Sequence, residues 1–168
     1  MQSNETIRER LNSLSFTEKD NLRNKTIQYL DDGMTTEEFA EILQLYNIPS
    51  SNKAEVLYRG MITTEHFLSI NAFVDFTSAF TTRYKIADKF VAERTYNNVY
   101  LEEDEVGVIL TLKNAYCICM SDLAKKLMLP EYYVGITEYE SEYIVQGYSF
   151  RDCEIEIIPL EQEENYEY

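Results

Sequence analysis

The chain has 168 residues, with 30 Asp plus Glu against 15 Lys plus Arg, and a formal net charge of −15 at pH 7. That length sets one domain as the expectation, and a hydrophobic content of 45% is enough for a packed core, which excludes wholesale disorder. The acidity argues against binding nucleic acid or an anionic membrane through a general surface field, but it leaves room for one small basic site.

The first residues, Met1-Gln2-Ser3-Asn4-Glu5-Thr6, carry no basic segment and no apolar run, so no secretory signal is expected. No apolar stretch approaches the roughly 20 residues needed to cross a bilayer, so no membrane partner is expected either. The odd set Cys117, Cys119 and Cys153 suggests reduced thiols in a cytoplasmic compartment. Cys117-x-Cys119 has a spacing that can bind metal, but it lies in a strand-like run where small cysteines suit a core. The single histidine, His66, leaves little for a His-based zinc site or a nucleophile–histidine pair, so no metal is expected. Enzyme chemistry in this chain would have to rest on carboxylates, arginine and hydroxyls.

The first 50 residues read as helical. A helix opening at Thr17-Glu18 runs to about Asp32, and Gly33 suits its stop. Thr35 with Glu38 forms a capping box, and Phe39, Ile42, Leu43 and Tyr46 give one apolar stripe behind it. The break at 49–52 joins this layer to the rest, dividing the chain into a helical region 1–52, a core 53–160 and an acidic tail 161–168.

From Glu55 the texture changes. Strands are predicted at 56–61, 72–78, 106–113, 115–120 and 142–146, and one at 152–158 with Cys153, Ile155 and Ile157 alternating against Glu154 and Glu156. One or two helical turns are expected at 64–70. A helix is expected at 83–93, with Ile86 and Phe90 four apart, and a short one capped by Ser121, running to Met128 before Pro130. The polar run 95–105 reads as a solvated loop. Helices first, then strands with inserted helices, is the pattern of an α+β fold.

Three places carry candidate chemistry. Arg59 sits in an apolar strand, where it must either emerge at a surface, as an edge-strand arginine paired with an acidic residue, or meet an anion. Ser78 ends a strand after Phe76-Thr77, where its hydroxyl either closes the strand or orients a neighbour. Glu140-Ser141-Glu142 opens a strand whose period of two puts both carboxylates on one side, an arrangement suited to chemistry at a sugar carbon. The other reading of the glutamates is a solvated acidic stretch, since Glu154-Ile155-Glu156 shows the same spacing.

Tyr58-Arg59-Gly60 in a strand, then an aromatic-Thr-Ser strand followed by a helix, then Glu-x-Glu entering a late strand resembles the Arg-Ser-Glu class of mono-ADP-ribosyltransferases. This toxin-like class includes small phage and bacterial members. The likeness spans about residues 53–158. It implies two small packed β-sheets, nearly perpendicular, with NAD in the cleft between them, flanking helices and no metal.

The resemblance implies further that Arg59 holds the NAD phosphates and that Gly60 offers its backbone to the nicotinamide amide, with Tyr58, Phe76 and Thr81 also at the cofactor. Ser78 would position Glu142, the glutamate that stabilises the sugar cation, and Glu140 would position an arginine acceptor. Residues 131–139 would form the loop that meets the target protein, through Tyr132, Tyr133 and Tyr139. The family's middle motif is an aromatic residue followed by Ser-Thr-Ser or Ser-x-Ser. Phe80 stands where the last serine would be if Ser78 is the first, and Thr81 is then the candidate second hydroxyl, reached through a bulge. The partner would be a protein presenting a basic, arginine-bearing surface, a host protein if the source is a phage. The alternatives are NAD hydrolysis, transfer to another acceptor, or a non-catalytic acidic protein that covers a basic surface.

Overall fold

The structure is a computed structural model that describes residues 5–97 and 101–160. The tail 161–168 and residues 98–100 of the expected polar loop lie outside the described residues. Three helices come first: α1 (Ile7–Ser13), α2 (Phe16–Leu30) and α3 (Thr36–Leu45). Each begins with a reciprocal capping box, Thr6 with Glu9, Ser15 with Glu18 and Thr35 with Glu38. In each box the side-chain oxygens satisfy backbone N–H groups that the first turn would leave unpaired. The start of α2 is therefore set by Ser15, two residues ahead of the expected Thr17. Its end follows the expectation, with Asp32 at φ 59° and Gly33 N–H donating to Gln28 O.

The strands are β1 (Asn52–Thr64), β2 (Phe76–Thr81), β3 (Glu105–Cys119), β4 (Glu142–Tyr148) and β5 (Glu154–Ile158). Between them lie α4 (Glu65–Ile70), α5 (Tyr84–Asn97), α6 (Met120–Lys126) and α7 (Glu131–Glu140). The chain is mixed α and β, with a small sheet and flanking helices. All pairings are antiparallel, in the order β1-β2-β4-β3-β5, and β1 also pairs with β3. The expected two sheets are thus hydrogen-bonded into one, through Tyr58 opposite Thr81 and through Ile118 opposite Ile144.

Several expected boundaries move, each for a pairing reason. Strand β1 extends beyond 56–61 because β3 offers a ladder from Asn52–Cys117 to Thr64–Glu105. The two strands expected at 106–113 and 115–120 are one; Asn114 bends it at φ 53°, and pairing continues on both sides. Residues 71–74 form a turn, with Val74 N–H on Asn71 O, so β2 starts only at Phe76. Ser121 does not cap α6; Cys119 precedes that helix without a side-chain cap. The segment expected as a target-facing loop is helix α7. Strand β5 is not half-buried: Ile155 and Ile157 are more than 40% exposed, because it pairs only with β3.

Two cores result. One packs α1–α3 and α6 against Ile118 and Ile144, with Phe39, Leu22 and Leu43 fully buried. The other fills the opposite face with Leu57, Phe80, Val108, Leu110, Val145 and Tyr148. Helix α5 crosses β1 at Gly60, where a Cβ would sit 2.0 Å from Ala87 O. Replacing Gly60 by Ala must push helix and strand apart, at a cost of about 3 kcal/mol, near the upper end for overpacking. A drop in Tm of roughly 6–12 °C is expected for a domain of this size. Gly135, in α7, has open space at its Cβ. There Gly135→Ala is expected to raise stability by up to about 1 kcal/mol through helix propensity, so thermal melts of the two variants should move in opposite directions.

Candidate active site

The chain reversal from α7 into β4 places the two glutamates. Glu140 is the last residue of α7, Ser141 takes the left-handed conformation (φ 49°, ψ 52°), and Glu142 is the first of β4. The regular strand expected for Glu140-Ser141-Glu142 is absent, yet both carboxylates line one cleft, because the left-handed residue turns the chain between them.

Three contacts from the end of β2 fix this turn. Thr81 Oγ1 donates to Glu140 O at 2.7 Å, the hydroxyls of Thr82 and Ser141 bond each other, and Arg83 Nη1 donates to Tyr139 O at 2.8 Å. Thr81 also accepts from Arg83 N–H at 3.1 Å, so one buried hydroxyl ties the start of α5 to the end of α7. The Arg83 guanidinium lies 5.5 Å from the centre of the Tyr139 ring.

The cleft beside this turn has a volume of about 80 Å³. Its polar lining is Arg59, Thr81, Glu140 and Glu142; Tyr58, Gly60, Ala79 and Phe80 contribute from the strands, and Ile86, Ala87 and Phe90 from α5. Pockets that swallow a small molecule usually hold about 300 Å³ or more. A ligand larger than a few waters must therefore lie across the mouth, where Phe90 is 47% exposed. A larger groove of about 320 Å³ runs past Glu37, Glu41, Asp75 and Phe76. Its three carboxylates make it hostile to an anionic ligand.

Arg59 is half-buried and donates from Nη1 to Ala79 O at 2.9 Å. Among the described residues it forms no ion pair, although the chain has twice as many acidic as basic residues. The carboxylate partner expected of a surface arginine is thus absent among the described residues, while the side chain does emerge part-way at the surface, at the cleft. A half-buried guanidinium with only a carbonyl partner suits an anion arriving from solvent.

Glu142 has the most perturbed carboxyl in the cleft. Burial pushes its pKa up to about 7. Tyr29 Oη, donating to Glu142 Oε1 at 2.5 Å, works against that shift, while the charges of Glu140 and Asp32 add to it. Glu140 is also raised, by burial first and then by Asp32, with Lys89 opposing. A carboxyl that burial pushes up to about 7, beside a second acid and on the same cleft as Arg59, is the environment expected of a functional group rather than of a solvated surface.

The structure brings Tyr58, Arg59, Gly60, Thr81, Glu140 and Glu142 to one cleft, and places the other candidates elsewhere. Ser78 pairs with Val145, on the opposite face of β4 from Glu142, and its hydroxyl shares a 2.8 Å bond with Tyr148 Oη. Alternation along β4 makes the expected Ser78–Glu142 contact impossible, and Thr81 stands opposite Glu142 instead. The bulge invoked for Thr81 is not needed; the irregularity in that pairing falls between Phe76 and Thr77.

Phe76 stacks on Phe150 at 4.8 Å, within an aromatic cluster away from the cleft. Gly60 lines the cleft, but its missing side chain makes room for α5 rather than for a ligand. On α7, Tyr132 and Tyr139 are exposed, whereas Tyr133 donates to Asp31 Oδ2 at 3.0 Å. The residues not foreseen are Tyr29, Thr82, Arg83 and Phe90. An aromatic residue followed by two hydroxyl residues occurs again at Phe80-Thr81-Thr82, just before a helix, and that repeat is the signal that points to Thr81.

His66 is exposed on α4, and among the described residues no group of His, Cys, Asp and Glu is arranged to hold a metal ion. Among them, too, no helix is long and apolar enough to cross a membrane. Comparison of the chain with protein-family models, with curated proteins and with solved structures finds no match.

The Glu142 shift makes stability depend on pH. Its folded pKa, about 7, exceeds the reference of 4.5, so the folded chain binds the extra proton between those values. Stability from this group is full below about pH 4.5 and is lost as pH rises through about 7. Glu142→Gln keeps an acceptor for Tyr29 and stays neutral throughout. It should match the wild type near pH 4.5 and exceed it at pH 8 by up to about 3 kcal/mol. Denaturant unfolding at the two pH values checks this; an equal difference at both would remove the buried charge from the account.

Proposed function

We propose that the protein is an NAD-dependent mono-ADP-ribosyltransferase that transfers ADP-ribose to arginine side chains of a target protein and releases nicotinamide. The observation that carries this reading is a half-buried arginine with no ion pair among the described residues, sharing one cleft with a desolvated Glu-x-Glu pair. Its support is local, resting on these residues and on the motif order shared with the Arg-Ser-Glu class.

In this reading Arg59 binds the diphosphate of NAD at the mouth of the cleft. Its N–H groups beyond the one on Ala79 O match phosphate oxygens. The nicotinamide riboside end enters between Phe90 and the glutamates. As the bond from the anomeric carbon to the nicotinamide nitrogen stretches, positive charge develops on the ribose ring. The ionised Glu142 carboxylate faces that charge in a site where water screens little. The cationic nicotinamide leaves as a neutral molecule with the bonding electron pair.

Glu140, half-buried beside Glu142, takes the acceptor guanidinium through a charge-assisted contact and holds one of its nitrogens toward the anomeric carbon. That nitrogen forms the new bond and its proton passes to solvent or to Glu140. Thr81, rather than Ser78, does the work of the middle motif, fixing the Glu140 carbonyl and the turn. The expected partner remains a protein with a basic, arginine-bearing surface, met at the exposed Tyr132 and Tyr139.

Incubation with labelled NAD and a bacterial lysate is the direct test. Wild type should label protein, and Glu142→Gln should reduce the label at least ~100-fold, a loss of about 2.7 kcal/mol of transition-state stabilisation. Equal labelling by the two would remove Glu142 from its role. Glu140→Gln should abolish arginine labelling while still releasing nicotinamide. Release without any labelled macromolecule in the wild type would make the chain a hydrolase, and ADP-ribose found only on asparagine, cysteine or serine would overturn the arginine acceptor.

A further inference from the structure

The hydroxyl that holds the Glu142 carboxylate comes from outside the 53–160 core. Tyr29 lies on α2, 113 residues before Glu142, and its Oη meets Oε1 at 2.5 Å. The ring is 8% exposed and stacks on Phe39 with centroids 4.4 Å apart and planes 5° apart. Its Oη also lies 3.3 Å from Thr36 Oγ1, the first residue of α3.

Counting protons settles the direction of these bonds. A phenol has one proton, and an ionised carboxylate can only accept. With Glu142 ionised, Tyr29 spends its proton on Oε1, so Thr36 must donate to Tyr29. The chain then runs Thr36 to Tyr29 to Glu142. Rigid neighbours hold the donor: the Phe39 stack fixes the ring plane, and the Thr35–Glu38 capping box fixes the start of α3, where Thr36 sits.

We infer that Tyr29, oriented by Thr36, is the positioning residue for Glu142, so that the N-terminal helical layer is a working part of the site. The inference rests on the transferase reading for its kinetic consequence, but the hold on the carboxylate stands apart from it. Stacking needs only the ring, so Tyr29→Phe keeps the packing and removes one hydroxyl.

The groups that face Glu142 must be accounted for in any titration. Tyr29 and Asp32 come from α2 and its end, Glu140 from α7, and Arg59 from β1 across the cleft, while Lys89 of α5 acts on Glu140. Of these, only Tyr29 is changed by the variant.

The test is a carboxyl-carbon NMR titration of the full chain, with the Glu142 signal assigned by its loss in Glu142→Gln. Removing a hydrogen bond to the charged form should raise the Glu142 midpoint by about one to two pH units. Thr36→Val should move it in the same direction by less. An unchanged midpoint in Tyr29→Phe overturns the inference.

Kinetics separate holding from proton affinity. In Tyr29→Phe the acid limb of kcat/KM for NAD should move upward with the NMR midpoint. At pH values above that limb, kcat should stay at least ~10-fold low with KM little changed, as expected when geometry rather than protonation is lost. Recovery of full kcat at high pH would overturn the positioning role. A shifted midpoint in a chain that never turns over NAD would support the hold on Glu142 and sink the transferase reading instead.

Discussion

The site depends on one costly act, the removal of the Glu142 carboxylate from water. A buried carboxylate is tolerated only where donors replace its lost hydration. Among the described residues it is Tyr29 that donates a side-chain hydrogen bond to its oxygens, and the backbone pairing of Thr81 with Glu142 fixes where the residue starts β4. The remaining geometry follows from that demand. The left-handed Ser141 is needed to end α7 and enter β4 in one residue, and the bonds from Thr81, Thr82 and Arg83 hold it there. Two packing layers meet at this point, the helical core on one side of β4 and the aromatic core on the other. The turn is consequently braced from both, which is how a functional constellation is kept within the fractions of an ångström that chemistry requires.

Much of the frame was legible from the residues. The capping box at Thr35–Glu38, the apolar stripe Phe39–Leu43–Tyr46 and the helix around Ile86–Ala87 are local signals, and the structure has them at those places. Local signals fail where a partner strand decides. Polar Asn52 and Thr64 join β1 because β3 lies beside them, and Asn114 bends rather than breaks its strand because its neighbours on both sides stay paired. The site divided in the same way. Arg59, Glu140 and Glu142 carry charge in unusual surroundings, and their types announce them. Ser78 and Thr81 differ only in which face of β2 they occupy, a matter of register that no single-strand pattern fixes. Tyr29 was out of reach for a different cause: its role exists only through a contact across more than a hundred residues.

The net charge of −15 reads differently once the cleft is placed. The acids are not spread indifferently around Arg59: none lies within ion-pairing distance among the described residues, while Glu140, Glu142 and Asp32 gather at the end of α7 and the end of α2. The cleft therefore has a negative side and a positive side. In the proposed reaction NAD has the matching polarity, a cationic nicotinamide at one end and an anionic diphosphate next to it. Orientation then follows from charge, because the reversed pose would put phosphates against two carboxylates. At contact distances such like-charge placements cost several kcal/mol even when partly solvated.

In the proposed reaction the same polarity would order the binding of the two substrates. A guanidinium approaching the empty cleft would be drawn to Glu142 as well as to Glu140, since both carboxylates face the same space. In the proposed reaction bound NAD would remove that ambiguity: its cationic ring would occupy the side of Glu142 and leave Glu140 for the acceptor. Ionisation works in the same direction. Burial, which pushes the Glu142 pKa up to about 7, favours its protonated form, and a cation arriving beside it would favour the charged form. The nicotinamide ring would thus create the carboxylate that its own departure requires. In the empty cleft, protonation leaves part of the population without the charge that would capture a stray arginine.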